Sequence, residues 1–138
     1  MLISVVIPVY NESDLIDDLY QAVMSAMTKF TADFEVICVN DGSKDDTLLK
    51  LQMCHQKDKR FKVLNLSRNF GHQSAYTAGL NYAKGDYVAM MDGDLQDPPE
   101  LIGAMYKCAV DNQSDVVYGR RTERNEGFFK KLSIKLFH

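Results

Sequence analysis

Little in this sequence is set aside for crosslinking or for rigid linkers. Its three cysteines, Cys38, Cys54 and Cys108, are odd in number, far apart and never in a C-x-x-C pair, which excludes a disulfide framework and a zinc site and fits a reducing compartment. They read as packing residues. With only three prolines, 46% hydrophobic and 25% charged residues, the chain is neither disordered nor collagen-like. No apolar run approaches the roughly 18 residues of a bilayer span, and the apolar start Leu2–Val9 is interrupted by Pro8 and has no basic segment before it. The expectation is a cytoplasmic chain. Net positive charge is also missing: the balance is −3, so a nucleic-acid surface is not expected. Neither G-x-G-x-x-G nor G-x-x-x-x-G-K-[ST] occurs, which argues against a dinucleotide dehydrogenase or a P-loop enzyme. His55, His72 and His138 form no metal-binding cluster, and His72 is expected to bond locally.

What remains is a chain of 138 residues, the size of a single domain with an ordinary core. Short β-branched runs alternate with stretches of helical period, the pattern of βαβ units around a buried parallel sheet. Strands are expected at Leu2–Val9, Phe34–Asn40, Phe61–Leu66, Tyr87–Met91 and Asp115–Tyr118. Helical stripes run through Leu15, Leu19, Val23 and Met27, and through Leu101, Met105 and Ala109 behind Pro98 and Pro99. The unusual polar residues fall just after strands: Tyr10-Asn11-Glu12, Asp41-Gly42-Ser43, Ser67-Arg68-Asn69 and Asp92-Gly93-Asp94. In an open α/β sheet those ends share one edge, and ligands bind there where strand order reverses.

Asp92-Gly93-Asp94 carries the sharpest chemistry. Two carboxylates flanking a glycine can aim at one hard cation, Mg²⁺ or Mn²⁺, with Gln96 and Asp97 adding oxygens nearby; the same residues also suit an Asx turn before the next helix. A phosphatase with paired aspartates is disfavoured because Gln96 stands where a small hydroxylated residue is expected. Asp41 could accept a nucleobase imide N–H, or the segment could simply cap a helix through Ser43 or Asp45. Residues 120–138 carry a local charge of +4. Arg120, Arg121 and Arg124 could grip phosphate bidentately, or form a solvated basic loop. Beyond them Phe128, Leu132 and Leu136, interleaved with Lys130, Lys131 and Lys135, predict a basic amphipathic helix over residues 126–137. Such a helix can lie on an anionic membrane surface or pack on its own domain.

Taken in order, SVVIPVYNE (Ser4–Glu12), VNDGSKDDT (Val39–Thr47), LSRNFGHQSAYTAGLNYAKGDYV (Leu66–Val88) and MDGDLQDPPE (Met91–Glu100) resemble the inverting family 2 glycosyltransferases of GT-A fold. LQDPPE, SRNFG and VVYGRR are most similar to the polyprenyl-phosphate sugar transferases, of the dolichol-phosphate mannose synthase and undecaprenyl-phosphate glycosyltransferase kind. The resemblance implies a Rossmann-like, mostly parallel sheet with helices on both faces, one nucleotide-sugar-binding domain over residues 1–138, and an acceptor half continuing beyond it. It implies a nucleoside pocket at Pro8, Tyr10 and Glu12, base reading by Asp41, and Asp92 on the ribose or diphosphate side. Asp94 and Gln96 would ligate Mn²⁺ or Mg²⁺, while Arg121, with Arg124 as a second candidate, would face the acceptor phosphate. The donor would be a UDP-sugar, with a GDP-sugar as alternative. The acceptor would be a polyprenyl phosphate at the inner face of the cell membrane, in envelope biogenesis. Transfer to a polysaccharide hydroxyl, a donor-binding fragment without turnover, and an α/β phosphatase or receiver-like domain remain as other readings.

Overall fold

The computed structural model describes residues 1–31, 33–122 and 131–137, with residues 119–122 and 131–137 described through their backbone. The chain divides into two compact units, 1–99 and 100–138.

In the first unit, β1 (Ile3–Val9) and β2 (Phe34–Asn40) are buried at every position. Such continuous burial is what a parallel strand covered on both faces produces, and it explains why ISVVIPV and FEVICVN run almost uninterrupted in apolar residues. β3 (Phe61–Asn65) and β4 (Tyr87–Met90) complete a sheet of order β3-β2-β1-β4, parallel throughout. The four strands agree with those expected to within one residue at each end.

Helices cover both faces. Strand neighbours point oppositely, so Val36 and its register partner Phe61 face one side while Ile37 faces the other. On the first side Tyr20, from α1 (Ile16–Phe30), meets Phe61 edge-on at 5.3 Å, and α2 (Thr47–Lys57) packs on β3 and β2. The stripe read from the sequence places Leu19, Val23 and Met27 in the core, each burial contributing about 1.5–3 kcal/mol. On the second side α3 (His72–Tyr82) lays Ala75 against Val6, Ile37 and Val39, with Tyr76 and Leu64 beside them. Cys38 and Cys54 are buried, and burial pushes the Cys38 thiol far up, consistent with a packing role.

At the N-terminal end of the same face, Glu35 (3% exposed) is satisfied by three donors. Lys62 Nζ reaches Oε1 at 2.8 Å, and the Ser4 hydroxyl and the Lys84 N–H (2.8 Å) share Oε2. Gly85 N–H closes the cluster on Ser4 Oγ at 2.8 Å. The cluster pins the α3–β4 connection, and hence the start of β4, to β1 and β2.

The second unit contains α4 (Leu101–Asp111), β5 (Val116–Thr122) and β6 (Lys131–Phe137). Two expectations are corrected here. The fifth strand does not stop at Tyr118: Gly119, Arg120 and Arg121 lie within β5, which pairs antiparallel with β6 from Val116↔Phe137 to Thr122↔Lys131. The amphipathic helix over 126–137 is replaced along Lys131–Phe137 by that strand. Leu132, Ile134 and Leu136 alternate with Lys131, Ser133 and Lys135, a period of two that a paired strand uses and that outweighs the i, i+4 spacing of Phe128, Leu132 and Leu136. Residues 126–130 of the expected helix lie outside the described residues, as does Arg124. Among the described residues no helix is long and apolar enough to cross a membrane.

Candidate functional site

The order β3-β2-β1-β4 reverses direction between β1 and β4: the chain builds outward from β1 through β2 to β3, then crosses back to the other side of β1. Loops leaving the C-terminal ends of β1 and β4 therefore diverge, and the crevice between them is where an open α/β sheet takes a ligand. A cavity of about 350 Å³ lies there. It is lined by Pro8, Val9, Tyr10 and Glu12 after β1, Asp41 after β2, Asn69 and His72 after β3, and Asp92, Gly93 and Asp94 after β4. Six site residues read from the sequence are thus brought together: Pro8, Tyr10, Glu12, Asp41, Asp92 and Asp94. Gln96 is exposed and does not line the cavity. Arg121 belongs to β5 in the second unit.

The loops are laced to one another by side chain to backbone bonds. Asn11, at φ 51°, donates its N–H to Ser43 Oγ (2.9 Å) and accepts Lys44 N–H on Oδ1 (2.8 Å). Glu12 N–H reaches Thr47 Oγ1 at 3.0 Å. Asp45 accepts the Thr47 N–H at 3.0 Å in an Asx turn just ahead of α2; the Thr47 hydroxyl, ahead of the weaker opposing effect of burial, holds its carboxyl below the usual range. The cap expected of Ser43 or Asp45 is not formed, since Asp46 stands at the N-cap without a side-chain cap bond; Asp45 instead shapes the turn that leads into the helix. Asp41 is 4% exposed and accepts Phe70 N–H on Oδ1 (2.8 Å) and Gly71 N–H on Oδ2 (3.1 Å). It anchors the β3–α3 loop and is among the residues that line the cavity.

Two glycines let these loops approach. Gly42 sits at φ +70°, and a Cβ there would come within 2.3 Å of Arg68 C and Asn69 N. At Gly93 a Cβ would come within 2.7 Å of Val9 Cγ1 and 3.2 Å of the Pro8 carbonyl oxygen, so the segment between the paired aspartates can press against the end of β1 only without a side chain.

The carboxylates differ in their partners. Asp92 Oδ1 accepts the Tyr76 hydroxyl at 2.7 Å and lies 2.9 Å from His72 Nε2. Burial and then Asp92 itself push the Tyr76 phenol well up, so it remains a donor. Asp94 is exposed and, among the described residues, accepts only the Gln96 N–H, at 3.0 Å, in an Asx turn. The turn reading of this segment is therefore realised, and it takes up one of four carboxylate oxygens. Glu12 is pushed above the usual carboxylate range, first by burial and then by the charges of Asp94 and Asp45. Four acidic side chains line the cavity, and among its lining residues only His72 can carry positive charge.

Among the described residues no three His, Cys, Asp or Glu side chains converge into a ready-made metal cage. The donor set fits a hard divalent ion of another kind, held by one or two carboxylate oxygens and completed by substrate phosphate and water. The sequence left Tyr76 unassigned and gave Asn69 only a place after a strand, while His72, expected to bond locally, instead reaches Asp92 at the end of β4. Their signal was present in SRNFGHQSAY, but it takes the α3 geometry to aim His72 and Tyr76 at the same oxygen.

The sequence pattern of glycosyl transferase family 2 matches residues 4–136. A glycosyltransferase of Synechocystis sp. is 43% identical over 99% of this chain and 43% of its own length. An undecaprenyl-phosphate 4-deoxy-4-formamido-L-arabinose transferase of Photorhabdus laumondii is 36% identical over 99% of this chain and 42% of its own. The chain thus spans about two fifths of the length of these curated relatives. Among solved structures, S. aureus TarS (1–349) in complex with UDP-GlcNAc superposes with a TM-score of 0.65 and 27% identity over 85% of this chain and 33% of that one. The Pyrobaculum calidifontis mannosyltransferase PcManGT, in complex with GDP-Man and Mn²⁺, superposes with a TM-score of 0.65 at 20% identity, over 81% and 33%.

Proposed function

The chain belongs to glycosyl transferase family 2, and from that premise we propose that its cavity binds a nucleotide-sugar, UDP-linked in preference to GDP-linked, together with Mn²⁺ or Mg²⁺. Its parallel sheet with helices on both faces is GT-A-like. The observation that carries the proposal is the convergence of four strand-end clusters on one cavity at the switch point, with acidic groups far outnumbering basic ones. An anionic donor entering such a cavity needs a cation to bridge it to the carboxylates.

In this reading Pro8, Tyr10 and Glu12 form the nucleoside wall, Asp41 meets the base while holding the β3–α3 loop, and Asp92 faces the ribose or diphosphate. Asp94, with Gln96 beside it, would hold the divalent ion. When bound, that ion supplies charge neutralisation to the departing diphosphate. For the whole protein the proposed acceptor is a polyprenyl phosphate, in line with the Photorhabdus relative. A phosphate is already an anionic nucleophile near neutral pH, so attack on the anomeric carbon requires positioning rather than a general base. Arg121 and Arg124 are the proposed grips on that acceptor phosphate. Transfer to a hydroxyl would require an aspartate base instead, and the carboxylates of the cavity already have other partners or proposed tasks.

Calorimetric titration with UDP, GDP and their common sugar conjugates, each in Mn²⁺ and in chelator, tests the donor site. Saturable binding in Mn²⁺ that collapses in chelator is expected. Equal binding in both conditions would remove the ion from the account. Sugar transfer by the whole protein to undecaprenyl phosphate, measured against a polysaccharide acceptor, tests the acceptor.

A further inference from the structure

His72 and Tyr76 stand one turn apart on α3, so their side chains share a face of the helix. Their rings pack edge to face, with centroids 4.9 Å apart and planes at 87°. Both reach the same atom: the Tyr76 hydroxyl donates to Asp92 Oδ1 at 2.7 Å, and His72 Nε2 lies 2.9 Å from it. The Tyr76 contact is the aligned hydrogen bond, while the imidazole stands at ion-pair distance from the same oxygen. Asp92 Oδ2 takes part in no hydrogen bond among the described residues. The backbone on either side of this carboxylate is confined as well, because Met91 N–H is bonded to the Val6 carbonyl at 3.1 Å and Gly93 presses on Val9 and Pro8.

We infer that Tyr76 and His72 are positioning residues for nucleotide-sugar binding: they hold Oδ1 of Asp92 on the α3 side and so leave Oδ2 as the oxygen offered to the donor. This deepens the donor-binding reading and rests on it. An unrestrained aspartate at a half-exposed site samples several rotamers, and a ligand that needs one of them loses affinity in proportion to its population. A hydroxyl donor and an imidazole against a single oxygen select one carboxylate orientation before the ligand arrives. Tyr76 is half-buried against Val6, Ile37 and Val39, so its hydroxyl is delivered from a ring that packing already holds. The arrangement ties the sheet-facing side of α3 to the cavity at the end of β4.

The test is calorimetry of UDP in Mn²⁺ on this chain and its variants, with thermal unfolding as the control for packing. Tyr76→Phe keeps the ring and removes only the donor; it is expected to unfold within a few degrees of wild type and to bind UDP roughly five- to tenfold more weakly. His72→Leu should weaken binding less than Tyr76→Phe, because the imidazole stands at contact distance without an aligned hydrogen bond. In an Asp92→Ala background, Tyr76→Phe should add less than about a twofold loss, because the positioned group is gone. Full multiplication of the two losses, or wild-type affinity in Tyr76→Phe, would overturn the inference while leaving the donor site intact. A wild-type chain that binds neither UDP nor GDP in Mn²⁺ would refute the donor reading itself, and the positioning role with it.

Discussion

Replacing Gly42 should damage fold and site together, and the two causes can be separated. At φ +70° an alanine is strained by about 1–2 kcal/mol, since its Cβ crowds the backbone in the left-handed region. The second cost is contact: the new Cβ would sit 2.3 Å from both Arg68 C and Asn69 N, far inside van der Waals range. These are backbone atoms of a loop held by Asp41, so neither can swing aside as a side-chain terminus would. Overpacking of this kind costs typically about 1–3 kcal/mol. Together the terms predict a loss of about 2–5 kcal/mol for Gly42→Ala, a large share of the ~5–15 kcal/mol that holds a domain together. For a chain of this size that corresponds to roughly 6–15 °C in melting temperature. If the loop yields instead, it must move away from Asp41, which breaks the Phe70 and Gly71 bonds and displaces Asn69 from the cavity wall; UDP binding in Mn²⁺ should then fall as well. Gly42→Asn separates the causes, because asparagine tolerates the left-handed region but carries the same Cβ. Circular-dichroism melts should show Asn recovering less than about 1 kcal/mol over Ala. Near-wild-type stability in Gly42→Asn would refute the contact argument and leave only the dihedral.

Asp94→Asn should weaken UDP binding in Mn²⁺ by at least about tenfold and hardly at all in chelator, as removal of a charged ion ligand requires; calorimetry in the two buffers decides it. Asp41→Ala should cost about 2–3 kcal/mol in thermal unfolding, through two charge-assisted bonds to the β3–α3 loop, and should weaken UDP more than inorganic diphosphate if the carboxylate also meets the base. Burial alone would raise the Glu35 carboxyl, but Lys62, Ser4 and the Lys84 N–H together bring it below the ordinary range. Its depressed folded-state value means that it stabilises the fold above the unfolded-state value of about 4.3, and that this contribution is lost as pH falls through the folded-state value. Urea melts from pH 7 down to pH 3 should show Glu35→Gln destabilised at neutral pH and converging on wild type in acid.

The sheet and its covering helices could be read from the sequence because each strand of the first unit announces itself locally: β-branched apolar runs bounded by Gly, Asn and Asp suffice to place Ile3–Val9 and Phe34–Asn40. The Leu19, Val23 and Met27 stripe is equally local. The same logic foresaw that the candidate residues would gather at one cavity, since polar residues that follow parallel strands must share one edge of the sheet whatever their separation in sequence. The tail misled because its Phe and Leu spacing satisfies two periods at once. Whether Lys131–Phe137 becomes a helix or a strand depends on a partner, and that partner is β5, which no window of the tail contains. Asp41 shows the same division within the site. Its place at the end of β2 is a property of the sequence. That its two oxygens would be taken by Phe70 and Gly71, some thirty residues on, follows only when β3 lies beside β2 and its loop folds back over Gly42. The convergence of His72 and Tyr76 on one oxygen of Asp92 is likewise a product of packing, because local sequence sets which donors and acceptors exist while the crossing of α3 over the sheet selects which of them meet.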